Sequence, residues 1–578
     1  MFEQTLQTLD DKLTNALNNG DAAAAELVTL EQLKVAVDLK DLSLLKNIRT
    51  MRLELFQLTN QKMKARTEYN KLANFCSEIE MKALEALTSF QDEVADKADK
   101  PLLDQIDTYF IVDNLHQHNN GILNSVLRKM TLFEEEWGYR TTLVVCEYNQ
   151  DLKKVAAHHQ FFNASRINVD MKIVNVYEYF QKTNAPDLPT VARPIFDEVK
   201  PNTQKFYDQR GYLSMVRIVD ERSPAQFVSE SYYTTDGKLC IKSDYTFKGD
   251  KNEVIHIEIY DENGTVIHEG TKEADLVGLY LDKIAADSDK PCLFVSETGL
   301  HNKAMSNIKQ KNVIRTAMVH AGFLENSYDL KSKPQYFFKD LVYYQGYFDG
   351  IVFLTKYEGD DFARIYGKPQ RIFTVPHFYP KEIEKVDFDT RDRRKAVIVA
   401  RFDPIKRLPM AVDIFKLVVE KLPDVTLELY GFGSPAEQER IQNHIKKTGM
   451  QNNVFIKGST ERPEEVFSSA ALFMMTSDTE GFGITLIESI SNGCPAFSFN
   501  IKYGPSDVIR NGKTGCLVPR NNIKAFAKQI ISYFEDQELQ RQMSENCYQD
   551  AKRFQKEVFL ENWYSFMASV SKPMNLGD

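Results

Sequence analysis

Residues 479–489 read TEGFGITLIES and place two glutamates, Glu480 and Glu488, eight residues apart on either side of a Gly-Phe-Gly turn. The apolar run at 471–477 predicts a strand before the turn, and the residues from Ile484 onward predict a helix after it. Glycines let a backbone approach a ligand closely, and a helix amino terminus offers unpaired N–H groups and a positive dipole end to an anion. The stretch therefore indicates an α/β protein with a phosphate-containing ligand at a strand-to-helix turn.

The two glutamates suit the two ends of one such ligand. Glu488, one turn into the helix, can accept two hydroxyl hydrogen bonds, as a carboxylate does from the diol of a ribose. Glu480, on the strand side, would point into a cleft. A glycine turn before a helix is common, however, and a glutamate in a first helical turn also complements the helix dipole without a ligand. This stretch alone leaves both interpretations open.

A second stretch, VARFDPIKR at 399–407, places Arg401 and Lys406 five residues apart in a loop that Pro404 turns. An arginine can bind two diphosphate oxygens at once and a lysine adds a point charge, so together they would stabilise a departing nucleoside diphosphate without a metal. The alternative is a solvated basic loop, since Arg407 also lies there. With the glycine turn, the pair favours a diphosphate site.

Short apolar runs recur along two parts of the chain, and most of them end at a Gly, a Ser or a charged residue. Strands that alternate with helices predict parallel sheets, which bind ligands at the carboxyl edge of their strands. Two such domains in series would face each other across a cleft. The runs are TYFIVDN (108–114), TTLVVCEYN (141–149), PCLFVSE (291–297), VIRTAMVH (313–320) and GIVFLT (350–355) in the first domain, and KAVIVARFDPIKR (395–407), VTLELYG (425–431), VFIKG (454–458), ALFMMTS (471–477) and PAFSFN (495–500) in the second.

Residues 181–273 have a different pattern, in which β-branched and aromatic residues alternate with polar ones. Asp236-Gly237 and Asn263-Gly264 are dipeptides that favour two-residue hairpin turns. The pattern predicts an antiparallel sheet inserted into the first α/β domain. Because exposed sheet edges are either covered or shared between chains, we expect a homo-oligomer built through this insertion.

The first hundred residues predict amphipathic helices, with apolar residues at helical spacing. They would form either a docking arm for a partner or a membrane surface, or a helical cap on the rest of the protein. The helical spacing is carried by Leu45, Ile48, Met51, Leu55 and Leu58. The predicted domains are a helical amino-terminal extension (1–104), a first α/β domain (105–180 and 274–388), the antiparallel insertion (181–273), a second α/β domain (389–555), and a helix that crosses back with a tail (556–578).

Charge and composition narrow the classes of partner. The formal charge is −10, from 72 basic and 82 acidic residues, which disfavours a nucleic-acid-binding protein. The acidic first residues and the lack of a long apolar run predict a cytoplasmic protein. The seven cysteines are scattered without a CxxC pair, so we expect buried free thiols.

A divalent metal site is a weaker possibility, raised by the acids of YEGDDF. Glu358, Asp360 and Asp361 follow the strand GIVFLT, and we expect them to cap a helix over 362–366 rather than to converge on one cation. We therefore expect no metal.

Residues 395–522 resemble the donor half of a GT-B retaining glycosyltransferase of family 4. The resemblance lies in R-x4-K, YGFG at 430–433, E-x7-E, GCPAFSF and KYGPSDVIRNGKTGCLV, in that order. The insertion and YGPSDVI are similar to the bacterial enzymes that add α-glucose or α-N-acetylglucosamine to poly(polyol phosphate) wall teichoic acid, and to relatives that glycosylate serine-rich adhesins. The resemblance spans about 109–564 and implies two Rossmann-like domains that face a cleft.

The resemblance implies roles for the motif residues. Arg401 and Lys406 would bind the diphosphate of a UDP-sugar, Glu488 would hold the ribose, and Glu480 would contact the transferred sugar. The turn and helix start would lie against the donor, through Gly481, Phe482, Gly483 and Ile484.

In the first domain, the resemblance places Asn120 and Gly121 near the donor phosphates, although the family often has two adjacent glycines there. His320 matches a cleft histidine near the transferred sugar, and its alternative is a satisfied histidine at a strand end. His377 lies on the crossover between the domains and has a weaker claim.

The implied reaction is transfer of glucose or N-acetylglucosamine with retention, by front-face attack, or by double displacement with Glu480 as nucleophile. Wall teichoic acid is the leading acceptor, and serine or threonine of an adhesin is the alternative. A third possibility is a non-catalytic partner subunit, against which the full set of Arg401, Lys406, Glu480 and Glu488 argues. A polyanionic acceptor would need a local basic groove, for which the candidates are Lys303, Lys309 and Lys311, and the protein could associate peripherally with the inner face of the membrane.

Overall fold

The computed structural model describes residues 2–18, 100–115, 121–150, 172–182, 202–208, 210–248, 251–367 and 371–571, and the single positions 24, 25, 28, 29, 32, 48, 51, 52, 152 and 155. Within these ranges, every helix is too short or too polar to span a lipid bilayer. By residue contacts the chain divides into two units, Met1–Val295 with Ser306–Val313, and Ser296–Met305 with Ile314–Asp578.

The first unit contains parallel strands in the order β10-β1-β2-β3, in which β1 pairs with β2 and β2 with β3. The residues of β2 are all buried, as expected of a strand covered on both faces. The elements before the inserted sheet are α1 (Phe2–Asn18), β1 (Asp107–Val112), α2 (Gly121–Trp137), β2 (Thr142–Val145), β3 (Lys172–Asn175) and α3 (Val176–Gln181). After that sheet come α4 (Glu273–Ala286) and β10 (Cys292–Ser296), which ends at the border of the unit.

The predicted antiparallel insertion is a six-stranded sheet in which consecutive strands pair in chain order. Its strands are β4 (Thr203–Tyr207), β5 (Leu213–Asp220), β6 (Ser223–Tyr233), β7 (Leu239–Lys248), β8 (Lys251–Tyr260) and β9 (Val266–Gly270). Its predicted two-residue turns are wrong by one residue. Thr234 N–H donates to Lys238 O and Gly237 N–H to Thr234 O, which makes a three-residue loop whose glycine takes a φ of +80°. Gly264 does the same between β8 and β9.

The second unit begins with the strands β11-β12-β13, which pair in parallel. A second parallel sheet follows in the order β16-β15-β14-β17-β18-β19. The elements up to the end of the first set are β11 (Val313–Val319), α5 (Lys339–Tyr343), β12 (Gly350–Phe353), α6 (Lys356–Tyr366) and β13 (Ile372–Thr374). The second set comprises β14 (Asp392–Val399), α7 (Leu408–Val419), β15 (Thr426–Tyr430), α8 (Pro435–Thr448), β16 (Val454–Gly458), α9 (Pro463–Ser469), β17 (Ala470–Met475), α10 (Ile484–Ser491), β18 (Ala496–Asn500), α11 (Pro505–Val508), β19 (Gly515–Pro519), α12 (Ile523–Glu535), α13 (Gln537–Ala551) and α14 (Lys556–Ser571).

The core of the second sheet is an apolar cluster between its strands and the helices α7 and α12. Ile398 of β14 and Leu427 of β15 pack with Phe415 of α7 and Phe526 of α12, and all four side chains are buried. Burying such side chains contributes about 1.5–3 kcal/mol each, so this cluster holds the strands in a fixed register. The loops at their carboxyl ends are therefore carried by a rigid base.

The helix predicted after the acids of YEGDDF begins earlier than expected. The helix α6 starts at Lys356 and is capped by Thr355, whose Oγ1 accepts the N–H of Glu358 at 3.2 Å. Glu358, Asp360 and Asp361 thus lie inside its first turns and do not cap it from outside, because a threonine three residues upstream supplies the cap.

Other predictions concern the amino-terminal extension and the cysteines. The described part of the extension consists of α1, isolated positions between 24 and 52, and residues 100–104. Ile48 is buried, while Leu45, Leu55 and Leu58 lie outside the described residues. The predicted domain boundaries remain predictions. The cysteines within the described ranges are free and buried, except Cys516, which is half-buried.

Candidate functional site

Four neighbouring strands of the second sheet, in the order β15-β14-β17-β18, end at one edge. The loop after β14 carries Arg401 and Lys406, the loop after β17 carries Glu480, and the loop after β15 carries YGFG. The carboxyl edge of a parallel sheet is where open α/β folds bind ligands. The fold therefore gathers the motifs of this sheet at one place.

Lys406 and Glu480 are in direct contact. Lys406 Nζ lies 2.6 Å from Glu480 Oε1, and Ser477 Oγ donates to the same carboxylate oxygen at 2.6 Å. The two charged side chains are only 19% and 12% exposed, so the pair is screened less than a surface ion pair. Two donors on one oxygen fix the direction of the Glu480 carboxylate.

The backbones of these two loops are also tied together. The Asp478 N–H donates to Ile405 O at 2.8 Å, and Thr476 Oγ1 donates to Lys406 O at 2.9 Å. These bonds hold the loops side by side, so the contact between Lys406 and Glu480 does not depend on the two long side chains alone.

Arg407, which the solvated-loop interpretation treated as exposed, is a structural residue. Its guanidinium donates to the carbonyl oxygens of Thr476 and Ser477 at 3.0 Å each and lies 3.0 Å from Asp478 Oδ1. Burial lowers the pKa of Arg407, while the charge of Asp478 opposes that shift. Arg407 therefore braces the loop that precedes Glu480.

Arg401 differs from its neighbours because its side chain is exposed and makes no hydrogen bond or ion pair within the described ranges. Its backbone is held by a hydrogen bond on each side. The Ala400 N–H donates to Tyr430 O at 3.0 Å, and the Phe402 N–H donates to Phe432 O at 2.6 Å. Gly431 makes this possible, since a Cβ there would lie 1.8 Å from Ala400 O. Arg401 thus presents a free cation from a fixed loop, as an anion site requires.

The glycine turn itself is shaped by two constraints. Gly483 takes a φ of +84°, in the left-handed region that favours glycine, and forms the N-cap of α10 without a side-chain cap bond. Gly481 packs on the carbonyl of His320, where a Cβ would lie 2.1 Å from the oxygen. The turn therefore leaves the amino terminus of α10 open to an anion and brings it against the end of β11.

His320 lies beside this turn and is already hydrogen-bonded. Its Nε2 is 2.6 Å from Glu297 Oε2, and both side chains are almost fully buried. The ring of His377 stacks on His320 at 5.8 Å, and Phe482 meets His377 edge-on at 5.6 Å. Glu297, at the end of the run PCLFVSE, was missed because nothing in its spacing indicates which distant residue it contacts. A satisfied strand-end histidine and a residue that faces the ligand are both compatible with this geometry.

The structure gives fewer contacts for the remaining predicted residues. Glu488 is half-buried in α10, and its carbonyl accepts the Asn492 side chain at 2.8 Å. Gly121 is the exposed first residue of α2 in the first unit, and Asn120 lies outside the described residues. The roles assigned to these positions stay predictions.

The proposed basic groove is divided between the two units. Lys309 and Lys311 are exposed in the first unit, and Lys303 is partly buried in the second. The three lysines therefore remain a predicted cluster only.

The buried acids of α6 do not form a recognisable metal centre. Across the described ranges, no three His, Cys, Asp or Glu side chains group as metal ligands. Burial raises the pKa of Glu358 well above its ordinary value, and the nearby Asp361 and Asp507 charges add to that effect. Asp361 instead accepts from Lys502 Nζ at 2.6 Å and Tyr503 OH at 3.0 Å.

We predict that Gly481→Ala lowers the free energy of unfolding by about 1–3 kcal/mol, the usual cost of forcing a methyl group into packed space. The added Cβ meets a backbone carbonyl that cannot rotate away. Gly346→Ala is the matched control, because a Cβ there meets nothing within 4 Å and the backbone φ is ordinary. Denaturant unfolding of both variants measures the difference, and equal stabilities would contradict the close packing of the turn on His320.

Residues 380–550 match the family model for glycosyl transferases group 1. A poly(glycerol-phosphate) alpha-glucosyltransferase of Bacillus subtilis (strain 168) is 25% identical, over 79% of this chain and 74% of the relative. A poly(ribitol-phosphate) alpha-N-acetylglucosaminyltransferase of Staphylococcus aureus (strain COL) is 27% identical, over 69% of this chain and 87% of the relative. The resemblance to these enzymes predicted from the motifs is confirmed.

Solved structures agree on the architecture. A TarM mutant of S. aureus in complex with fondaparinux, alpha-GlcNAc-glycerol and UDP aligns with a TM-score of 0.59 at 21% identity, over 80% of this chain and 99% of that chain. A GtfA/B complex aligns with a TM-score of 0.59 at 17% identity, over 81% of this chain and 100% of that chain. Similarity at this identity shows the fold, and it confirms the predicted GT-B class with its antiparallel insertion. Residues 380–550 are thus a group 1 glycosyltransferase domain within a GT-B fold.

Proposed function

We propose that the protein is a retaining glycosyltransferase that moves glucose or N-acetylglucosamine from a UDP-sugar to a polymeric acceptor. The observation that carries the proposal is the contact between Lys406 and Glu480. The loop that carries Lys406 also carries Arg401, whose side chain is exposed and has no partner among the described residues. A non-catalytic subunit would need neither this contact nor a free arginine at the same sheet edge.

The charges of the site suit a departing diphosphate. Arg401 can engage two phosphate oxygens, Lys406 retains two further N–H donors beyond its bond to Glu480, and the open amino terminus of α10 adds its dipole. Fixed positive groups that face developing negative charge lower the barrier without reorganisation during the reaction. In this proposal Glu488 holds the ribose and Glu480 the transferred sugar.

The front-face route suits the geometry better than double displacement. Glu480 Oε1 already accepts from Lys406 and Ser477, and a carboxylate oxygen with two donors is a weaker nucleophile. In the front-face route the acceptor hydroxyl attacks on the side that the nucleotide leaves, and a donor phosphate oxygen takes its proton. The protein then supplies alignment and charge stabilisation.

The two relatives named for polyol-phosphate transfer favour wall teichoic acid as acceptor. A second acceptor, serine or threonine of an adhesin, is favoured by the 23% identity over 405 residues to a UDP-N-acetylglucosamine--peptide N-acetylglucosaminyltransferase GtfA subunit of Streptococcus agalactiae. Either acceptor is compatible with a cytoplasmic location, which we propose because a UDP-sugar donor is available there, with peripheral association at the inner membrane face.

A paired assay distinguishes these reactions. UDP release would be measured from UDP-glucose and UDP-N-acetylglucosamine, each with purified teichoic acid or a serine-rich peptide, and with Glu480→Gln as control. We expect release from one donor that depends on one acceptor and falls to a small residual rate in the control. UDP binding without turnover would indicate a missing acceptor or partner subunit, and absent UDP binding would contradict the enzyme proposal.

We predict that Lys406→Ala lowers turnover by about a hundredfold or more, the scale for losing one electrostatic contact in the transition state. It also removes the partner of Glu480, so the loss should appear in kcat. Glu488→Ala should instead weaken UDP binding. Lys416→Ala, at an exposed position of α7, is the matched control and should leave both quantities unchanged. Near-normal kcat in Lys406→Ala would remove Lys406 from the mechanism.

We also propose that the antiparallel sheet joins copies of the chain. Its strands expose apolar side chains, among them Val228, Ile255 and Ile267, of which the last lies on the edge strand β9. Exposed apolar groups beside an unpaired strand edge are a usual site of association.

The oligomer prediction is tested by mass in solution. Ile255→Glu with Ile267→Glu should shift an oligomer to monomer, because two charges would be buried in the contact. Lys251→Glu, on the same strand as Ile255 but at an exposed position that is already polar, is the control. An unchanged oligomer in the double variant would contradict association through these two side chains.

A further inference from the structure

The segment after β18 holds the backbone of Glu480. Lys502 O accepts the Glu480 N–H at 3.2 Å and Thr479 Oγ1 at 2.7 Å, while the Tyr503 N–H donates to Glu480 O at 2.8 Å. The N–H of Glu480 is thus bonded to Lys502, and its carbonyl oxygen is bonded to the next residue, Tyr503. Gly504 continues the contact, since a Cβ there would lie 1.9 Å from Phe482 O.

One carboxylate anchors the side chains of both holding residues. Asp361, on α6, is fully buried, and its Oδ2 accepts from Lys502 Nζ at 2.6 Å and from Tyr503 OH at 3.0 Å. Tyr503 is also fully buried, and burial together with the charge of Asp361 raises its pKa. Among the described residues, the second Asp361 oxygen has no hydrogen-bond partner, and the exposed Arg364 lies 3.7 Å from it. Asp361 is therefore the shared acceptor for the two residues that hold Glu480.

Loss of the Asp361 charge would be energetically costly for Lys502. Lys502 Nζ is largely shielded from water, and its other near neighbours are the rings of Tyr357 and Tyr503. Removing the charge of Asp361 would leave that ammonium buried without a counterion, an expensive state that the segment can relieve by moving. Because Glu480 is bonded to this segment through its backbone, it would move as well.

We propose that Asp361 is a positioning residue for glycosyl transfer, acting on Glu480 through Lys502 and Tyr503. This rests on the proposed function, in which Glu480 contacts the transferred sugar. Asp361 contacts none of the residues predicted to bind the donor, and it fixes the position of the segment that holds the backbone of Glu480.

The first test compares Asp361→Asn with Asp360→Asn, which lies on the same helix but is exposed and pairs with Lys356. Asp361→Asn should lower kcat at least about tenfold, within the roughly hundredfold loss that a misplacement near 1 Å can cause. UDP affinity, measured by calorimetry, should stay nearly unchanged. Asp360→Asn should match the wild type in both quantities. An unchanged kcat, or an equal loss in the two variants, would overturn the proposal.

A double-mutant cycle separates positioning from general destabilisation. In a Glu480→Gln background, Asp361→Asn should cause no further loss of turnover, because its effect passes through the carboxylate that is already gone. A loss of the same size in both backgrounds would show that Asp361 acts by another path and would overturn the proposal. Should Asp361→Asn fail to fold, Tyr503→Phe removes only one of the two bonds and should give a smaller loss with the same dependence on Glu480.

A crystal structure of the variant gives a readout that needs no substrate. In Asp361→Asn or Tyr503→Phe, the distance between Lys406 Nζ and Glu480 Oε1 should lengthen from 2.6 Å. If Glu480 is displaced in the variant but the wild-type protein shows no turnover, the positioning role stands and the proposed function is rejected. Glu480 unmoved in the variant would reject the positioning role whatever the activity.

Discussion

The ion pair between Lys406 and Glu480 joins loops that follow two adjacent strands, β14 and β17. It exists because the parallel sheet ends both strands at one edge and because backbone bonds keep the loops in contact. Two opposite charges confined at this depth are worth more than at the surface, and each sets the direction of the other. The helix α10 begins directly after the same turn, and Gly481 of that turn packs on the carbonyl of His320.

The second sheet combines an apolar core with cross-linked loops at the carboxyl ends of its strands. Its core residues on β14, β15, α7 and α12 are buried and apolar. Charged side chains of the loop after β17 are compensated by partners from other loops, as Asp478 is by Arg407 and Arg520. Arg520 also lies over the ring of Tyr328 at 3.8 Å, and the Tyr328 hydroxyl donates to Asp478 O at 2.9 Å. Such cross-links restrict the loops at this edge of the sheet.

Much of this could be predicted from local patterns. The E-x7-E spacing, the helix that begins at Ile484 and the strand before the turn follow from neighbours in sequence, and the structure has all three. The contacts of the site were less accessible, because they join distant residues: Lys406 and Glu480 are 74 positions apart, and Asp361 and Lys502 are 141 apart. Nothing in the spacing of Asp361 within YEGDDF distinguishes it from Asp360, although one is buried and the other exposed. The missed turn length after β6 has a similar origin, since Asp-Gly fits more than one hairpin loop and strand pairing decides between them.

The close approaches at Gly431, Gly481 and Gly504 have a consequence for how such a site changes over generations. At each of them one loop rests on a carbonyl oxygen of another, so these contacts between loops are made by main-chain atoms. Main-chain atoms are the same in every sequence. The side chains that project from these loops can therefore be exchanged without disturbing the main-chain contacts between them. The glycines themselves cannot be exchanged in this way, because a Cβ at each of them would clash with that carbonyl oxygen.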